Sequence, residues 1–371
     1  TKTKMKKREE IQKLATEHII ENKFRGILYV APRVGKCKIV IDALNTTSKN
    51  ISILVLAPKK EIFKGWEADI KKWNLRDGFE IEYVWSNSLK KVKKVYDLII
   101  ADEIHDYNLK VLELLAKHKA KGSRILGLTG TLDSDSKYSI QEIVGITPFY
   151  SYTVDEAIKD GIVADYQILC VECDLDDKDK YVEAGSEENP FMQTELEAYK
   201  YWDGKYNTAV SNMRYAQMRF PMMRRKNIIY NSRTKINITK RIVELHDRCL
   251  IFTGFQKIAD LIGDASFHSK SSKDTLEKLK AGKINKVAVV SMVSMGVTIP
   301  NLKVAVFNQL KSGENTAVQQ AMRAMNVDGN KMATIIIVYL KNTRDQVWME
   351  SALKGFNPKK VTFCKFKDLP K

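Results

Sequence analysis

The feature of this 371-residue chain that most constrains its fold is a rhythm of short apolar runs. Strands are expected at Ile27–Val30, Ile53–Ala57, Ile81–Trp85, Leu98–Ala101 and Ile125–Leu128, with helical patterns between them at Lys36–Leu44, Ile62–Trp73 and Leu109–His118. A strand that is apolar on successive residues needs cover on both faces, and crossover helices supply it, so the pattern predicts a parallel sheet. The rhythm resumes at Cys249–Thr253, Lys286–Ser291, Val304–Asn308 and Thr334–Leu340, which predicts a second domain of the same α/β class. We place the first domain at residues 1–165 and the second at 166–371. The second opens with one strand, Tyr166–Cys173, and a polar, mostly helical stretch whose part at about 199–240 is rich in Tyr, Met and Arg. No repeat of fixed period is present.

Composition narrows the class. With 44% apolar residues the chain can bury a core without disulfide staples. The longest apolar run, over Ala333–Leu340, is about eight residues, far short of the roughly 18 of a membrane span. The basic start TKTKMKKREE is followed by no apolar core of a secretory signal, and five scattered cysteines suit a reducing cytoplasm. Membrane, secreted and fibrous classes are therefore excluded. Lysine and arginine number 62 against 45 acids, a net charge of +17. Such a chain attracts polyanions, nucleic acid being the usual one, although a lysine-rich soluble surface gives the same total. The charge is sorted, however: residues 166–200 hold three basic and ten acidic side chains, whereas 201–240 hold nine and one.

Three strand ends carry candidate chemistry. The first strand runs into Ala31-Pro32-Arg33-Val34-Gly35-Lys36-Cys37 and then a helix. Backbone N–H groups and a helix start can cradle phosphates there while the lysine neutralises them. The match to a P-loop is partial, because Ala31 replaces the first glycine and Cys37 the usual hydroxyl; alone, the segment also reads as a turn. The fourth strand ends in Asp102-Glu103-Ile104-His105, about 66 residues later. Paired carboxylates at a buried strand end are costly unless they hold a cation or a proton, which suits Asp102 for Mg²⁺ through its water shell and Glu103 for an attacking water. A solvated polar loop is the alternative. The fifth strand ends in Gly127-Leu128-Thr129-Gly130-Thr131-Leu132.

In this order the segments resemble the P-loop, DExH box and TGT motif of superfamily 2 helicases and translocases. Other segments fall in line: Leu54–Lys59 resembles motif Ia, Phe252–Gln256 motif IV, Ser294–Asn301 motif V and Gln319–Asn326 motif VI. The resemblance runs from about residue 8 to 345. It implies two RecA-like parallel-sheet lobes in tandem with an ATP cleft between them. It further implies ATP on Ala31–Cys37, with Lys36 on the phosphates, and Gly296 also at the nucleotide. Asp102 would hold Mg²⁺ through water and Glu103 the attacking water, with Gln319 and Arg323 completing catalysis. His105, Thr129, Gly130, Thr131 and Thr298 would couple nucleotide to nucleic acid. The nucleic acid would meet Pro58, Lys59, Lys60 and Thr253, and the basic segment through Arg224 and Arg225. Gln12, preceded by Arg8, stands where the family reads adenine. Ala31–Lys36, Trp66 and the Tyr152–Ile158 segment resemble phage branch-migration helicases and Swi/Snf-type translocases. The implied function is an ATP-dependent DNA helicase or double-strand translocase, a minimal monomeric motor of the cytoplasm, or of the host cytoplasm if viral. An RNA helicase and a slow or non-hydrolysing ATP-sensing scaffold are the alternatives.

Two departures from the family matter. Cys37 offers soft sulfur where Mg²⁺ prefers oxygen. Asn326 stands where motif VI carries its second arginine, so Arg323 takes that role, or Arg344 supplies it, or hydrolysis is slow. Other features carry less. Cys170 and Cys173 form a lone CxxC on a strand, no zinc site; His268 caps a strand end; His18, His118 and His246 read as surface or boundary residues. Over 199–230, aromatics interleaved with arginines make a single-strand path, while the spacing of Met213, Gln217, Phe220 and Met223 predicts a packed face.

Overall fold

The computed structural model describes residues 2–268, 274–290, 299–310, 325–326, 332–354 and 356–369, together with Val318 and Ala321. The chain divides into two compact units, the first ending at Asp165 and the second beginning at Tyr166.

The first unit is built on β1 (Gly26–Val30), β2 (Ser52–Ala57), β3 (Glu80–Trp85), β4 (Leu98–Asp102), β5 (Arg124–Thr129) and β6 (Pro148–Tyr152). They form one sheet in the order β3-β2-β4-β5-β1-β6, parallel at every pairing. Helices α1 (Lys2–Glu21), α2 (Lys36–Asn45) and α3 (Glu61–Lys72) precede or cross over between the early strands; α4 (Leu109–Ala120), α5 (Ser134–Val144) and α6 (Val154–Lys159) follow. Strand pleating divides the core in two. Leu28, Ile53, Leu98, Ile100, Leu126 and Leu128 pack with Ile11, Ile39 and Trp66 of the first three helices. Their strand neighbours Ile27, Leu54, Ile99, Ala101 and Ile125 pack on the other side with Leu112 and Leu115 of α4 and Ile140 of α5. Alternation of period two on strands buried on both faces is what the unbroken apolar runs require.

The second unit carries β7 (Tyr166–Cys173), the hairpin β8 (Val182–Gly185) and β9 (Pro190–Gln193), then β10 (Cys249–Thr253), β11 (Ala265–Phe267), β12 (Lys286–Val290), β13 (Ile299–Pro300), β14 (Val304–Phe307), β15 (Met325–Asn326), β16 (Ala333–Leu340) and β17 (Val361–Lys365). Seven of these make a parallel sheet in the order β11-β12-β10-β14-β16-β7-β17. Three helices, α7 (Glu195–Ser211), α8 (Tyr215–Asn231) and α9 (Arg233–Glu244), lie in sequence between the hairpin and β10. Both units thus have the RecA-like plan. Expected strands are present to within a residue or two, and β6, β8, β9, β11, β13, β15 and β17 are additional.

Two expectations are corrected here. Met213, Phe220 and Met223 are 74%, 55% and 49% exposed, so their stripe is not the packed face of α8; Pro221, Arg225, Ile229 and Tyr230 are buried instead. His118 is buried rather than at a boundary, because α4 turns it inward beside Leu115 and Leu112.

Candidate active site

In an all-parallel sheet the carboxyl ends of the strands share one edge, and ligands bind there. The P-loop follows β1, the Pro58–Lys60 loop follows β2, the DExH segment follows β4 and the TGT segment follows β5. Register makes them level: Asp102 stands opposite Leu128, and Tyr29 opposite Thr129.

The P-loop is shaped by backbone. Ala31 N–H donates to the Tyr152 carbonyl at 2.8 Å, and Arg33 and Gly35 take φ of 70° and 103°. Gly35 caps α2 in the left-handed region, where a side chain would be strained, and a Cβ there would lie 2.9 Å from the Gln12 amide nitrogen. That nitrogen donates to the Val34 carbonyl at 2.6 Å, so buried Gln12 braces the loop.

Lys36, at the first position of α2, extends to Glu103, with Nζ 3.1 Å from Oε1 and the two side chains 13% and 12% exposed. Glu103 itself has φ 48° and ψ 48°, a left-handed conformation that costs a non-glycine residue free energy and recurs at functional sites. Asp102 is 5% exposed. Its Oδ1 accepts the Glu103 backbone N–H at 2.9 Å and its Oδ2 accepts the Trp66 indole N–H at 2.9 Å. Burial raises its pKa, while the Lys36 charge and these hydrogen bonds oppose the rise.

His105 joins the DExH turn to the next strand. Its Nδ1 lies 2.8 Å from Thr129 Oγ1 and 3.6 Å from Glu103 Oε2, and its Nε2 lies 3.3 Å from Thr131 Oγ1. The Thr129 hydroxyl donates to the Thr131 carbonyl and accepts the Thr131 N–H at 3.2 Å, which closes a compact turn. Gly127 admits this packing, since a Cβ there would sit 3.0 Å from Ile104.

The Cys37 thiol is turned into the core with a hydrogen bond to Asp69, and burial pushes its pKa well up, reinforced by Asp102 and Asp69. A partly buried thiol provides soft sulfur and no hard oxygen ligand. Among the described residues no three His, Cys, Asp or Glu side chains converge as a metal cage. Asp102, with one free lone pair on each oxygen, fits a Mg²⁺ held through water and brought in on phosphates.

Of the remaining candidates, Pro58, Lys59 and Lys60 lie at the head of α3, where the Trp85 indole N–H fixes the Pro58 carbonyl at 2.9 Å. Arg224 is exposed, with its guanidinium 5.1 Å from the Phe220 ring and 5.7 Å from that of Trp202. Arg225, expected on a nucleic-acid path, is a correction: it is 7% exposed, paired with Asp203 and stacked 4.2 Å from Tyr206, because it sits on the face where α8 meets α7. Thr253 is likewise buried, its hydroxyl directed at the Phe255 and Val289 carbonyls at 3.3 and 3.4 Å, so it shapes the strand end and offers no surface. Arg344 is exposed at the start of the helix Arg344–Ala352. Gly296, Thr298, Gln319 and Arg323 lie outside the described residues. Asn326 pairs across to Pro300, which brings the ends of the motif V and motif VI segments side by side.

Sequence reasoning did not assign the Trp66–Asp102 bond. Its signal was a tryptophan on the core stripe Ile62, Trp66, Ile70, since a buried indole N–H seeks an acceptor.

No protein-family model and no curated protein matches the chain. Solved structures do. The helicase domain of Pyrococcus furiosus Hef matches with a TM-score of 0.54 at 13% identity, over 93% of this chain and 97% of that one. Saccharomyces cerevisiae Dbp5 bound to RNA and ADP BeF3 matches with a TM-score of 0.56 at 12% identity, over 96% and 90%. LlaBIII, an ATP-dependent Type ISP restriction-modification enzyme bound to DNA, matches with a TM-score of 0.60 at 14% identity. That match covers 95% of this chain, which spans 31% of LlaBIII. At such identities the likeness shows the fold alone, two RecA-like parallel-sheet units.

Proposed function

We propose that the chain is a DExH-type ATP-dependent DNA helicase or double-strand translocase, and the observation that carries this is the meeting of Lys36, after β1, with Asp102 and Glu103, at the end of β4, on one edge of the sheet. A phosphate chain entering the P-loop competes with Glu103 for the Lys36 ammonium. Once Lys36 turns to phosphate, the Glu103 carboxylate is released beside the place where a water attacks the γ-phosphorus. Glu103 takes the proton of that water as the new P–O bond forms and the bridging P–O bond to ADP breaks. Mg²⁺ held by Asp102 through water would neutralise the phosphates when bound. His105, Thr129, Gly130 and Thr131 carry the state of the DExH turn to the next loop. Gln12 holds the P-loop from below. The motif V and motif VI resemblance assigns Gly296, Thr298, Gln319 and Arg323 to nucleotide binding, coupling and catalysis as well. Nucleic acid lies on Pro58, Lys59 and Lys60 and on the Arg224 face of the α7–α8 pair, beside Tyr201 and Phe220.

The sequence resemblance of Ala31–Lys36, Trp66 and Tyr152–Ile158 to phage branch-migration helicases and Swi/Snf-type translocases supports DNA over RNA. A slow, ATP-sensing scaffold is the second reading, favoured by the partly buried Cys37 thiol in place of a hydroxyl and by Asn326 in place of arginine. Steady-state ATP hydrolysis separates them when measured without nucleic acid and then with single-stranded, duplex and forked DNA and matched RNA. Stimulation by DNA above RNA supports the motor reading. Stimulation by RNA alone transfers the reading to an RNA helicase, and an unstimulated trace rate to the scaffold.

A further inference from the structure

The strand pleat that sorts the first unit's core also decides what Asp102 faces. Leu98 and Ile100 belong to the layer packed with α1, α2 and α3, and Asp102 follows them at the same period. Its carboxylate therefore points toward α3, where Trp66 is 2% exposed and donates its indole N–H to Oδ2 at 2.9 Å. With the Glu103 backbone N–H on Oδ1, also at 2.9 Å, each oxygen holds one donor and the carboxylate plane is fixed. A neutral donor serves here where a cation would not. It orients the carboxylate while leaving its full charge and one lone pair per oxygen for other partners. Trp66 lies five residues into the helix headed by Pro58–Lys60, and Trp85 ties the Pro58 carbonyl to the neighbouring strand. Loop, helix, indole and carboxylate are thus one connected unit.

Resting on the nucleotide reading above, we infer that Trp66 is a positioning residue that orients Asp102 toward the cation of a bound nucleotide and ties the Pro58–Lys60 loop to that site. Indole geometry suits the task, because its N–H is rigid and its ring is held on all sides by the core layer.

The test compares the parent with Trp66→Phe and with a variant carrying benzothienylalanine at position 66, which keeps the ring shape and replaces N–H by sulfur. A fluorescent ADP analogue is titrated with Mg²⁺ and, separately, with EDTA. Loss of one hydrogen bond to a charged group should shrink the gain in affinity that Mg²⁺ confers by about tenfold and leave the EDTA affinity unchanged. The factor by which the nucleotide alters affinity for a labelled oligonucleotide should fall toward one in the same variants. An undiminished Mg²⁺ gain in the benzothienylalanine variant overturns the positioning role. Equal weakening in Mg²⁺ and EDTA, together with a lower melting temperature, overturns it too, since that is the mark of a packing residue. An unchanged nucleotide effect on oligonucleotide binding overturns the tie to the loop. A parent that binds no nucleotide overturns the nucleotide reading itself, and the role of Trp66 with it.

Discussion

The ammonium of Lys36 rests 3.1 Å from Oε1 of Glu103, within a pocket that leaves about an eighth of either side chain exposed. The two groups proposed for phosphate binding and water activation thus neutralise one another, and a nucleotide must exchange one partner for another. Lys36→Ala removes the phosphate's counter-charge and takes the ammonium away from the Glu103 carboxylate. A hydrogen bond to a charged group is worth about 1.5–3 kcal/mol, so nucleotide affinity should fall roughly 10- to 100-fold with turnover abolished. Equilibrium binding of a fluorescent ATP analogue checks this.

The neighbours Arg224 and Arg225 should behave oppositely. Exposed Arg224 is placed to meet phosphate, so Arg224→Ala should lower the slope of log affinity against log salt by about 0.7–0.9 without changing the melting temperature. Arg225→Ala leaves Asp203 with only the Asn207 amide and no cation, and should cost about 1–3 kcal/mol of stability, the range reflecting that Asp203 is 31% exposed. Nucleic-acid titrations over a salt series, with melting curves, separate the two.

Buried His118 should make the fold acid-sensitive. Burial, then the Lys121 charge, lower its pKa from the ordinary 6.5, and its Nδ1 makes no hydrogen bond. Above pH 6.5 neither folded nor unfolded chain protonates it. Below that, the unfolded chain takes up a proton that the native state refuses, so stability falls until the lowered native pKa is reached, by at most about 1.4 kcal/mol per pH unit. His118→Leu should abolish this contribution. The melting-temperature difference between parent and variant should be flat above pH 7 and widen toward pH 5.

Lys235 of α9 and Asp345 are both 2% exposed and form an ion pair in the second unit. Asp345 also accepts the Leu340 backbone N–H at 2.9 Å, which fixes the end of β16. Lys235→Met leaves a buried carboxylate without its cation and should cost about 3–5 kcal/mol, read in denaturant unfolding. Adding Asp345→Asn, which removes the stranded charge and retains an acceptor, should recover part of that loss.

How much of this was legible follows from where each signal resides. Strands such as Leu98–Asp102 are buried on both faces, and a continuous apolar run announces them. Edge strands are covered less, and Pro148–Tyr152 or Val361–Lys365 carry polar residues that break the run. The P-loop, DExH and TGT segments are local in sequence and could be read as such. The Trp66–Asp102 bond joins residues 36 positions apart, and only the pleat of β4 reveals which helix Asp102 faces. The spacing of Met213, Phe220 and Met223, at and just before α8, predicts a packed face, but these residues are exposed and the buried residues of α8 are Pro221, Arg225, Ile229 and Tyr230. Periodicity alone does not tell which face a neighbour covers.

Central to the account is Glu103 as the group that activates water after Lys36 leaves it. Glu103→Gln keeps the size and a carbonyl oxygen for Lys36 but cannot accept a proton. Single-turnover ATP hydrolysis in the presence of DNA, measured beside equilibrium ATP-analogue binding, tests this most directly. The account predicts binding within a few-fold of the parent and a chemical step slower by about 10²–10⁴. A Glu103→Gln protein that binds and hydrolyses ATP at the parental rate would contradict it.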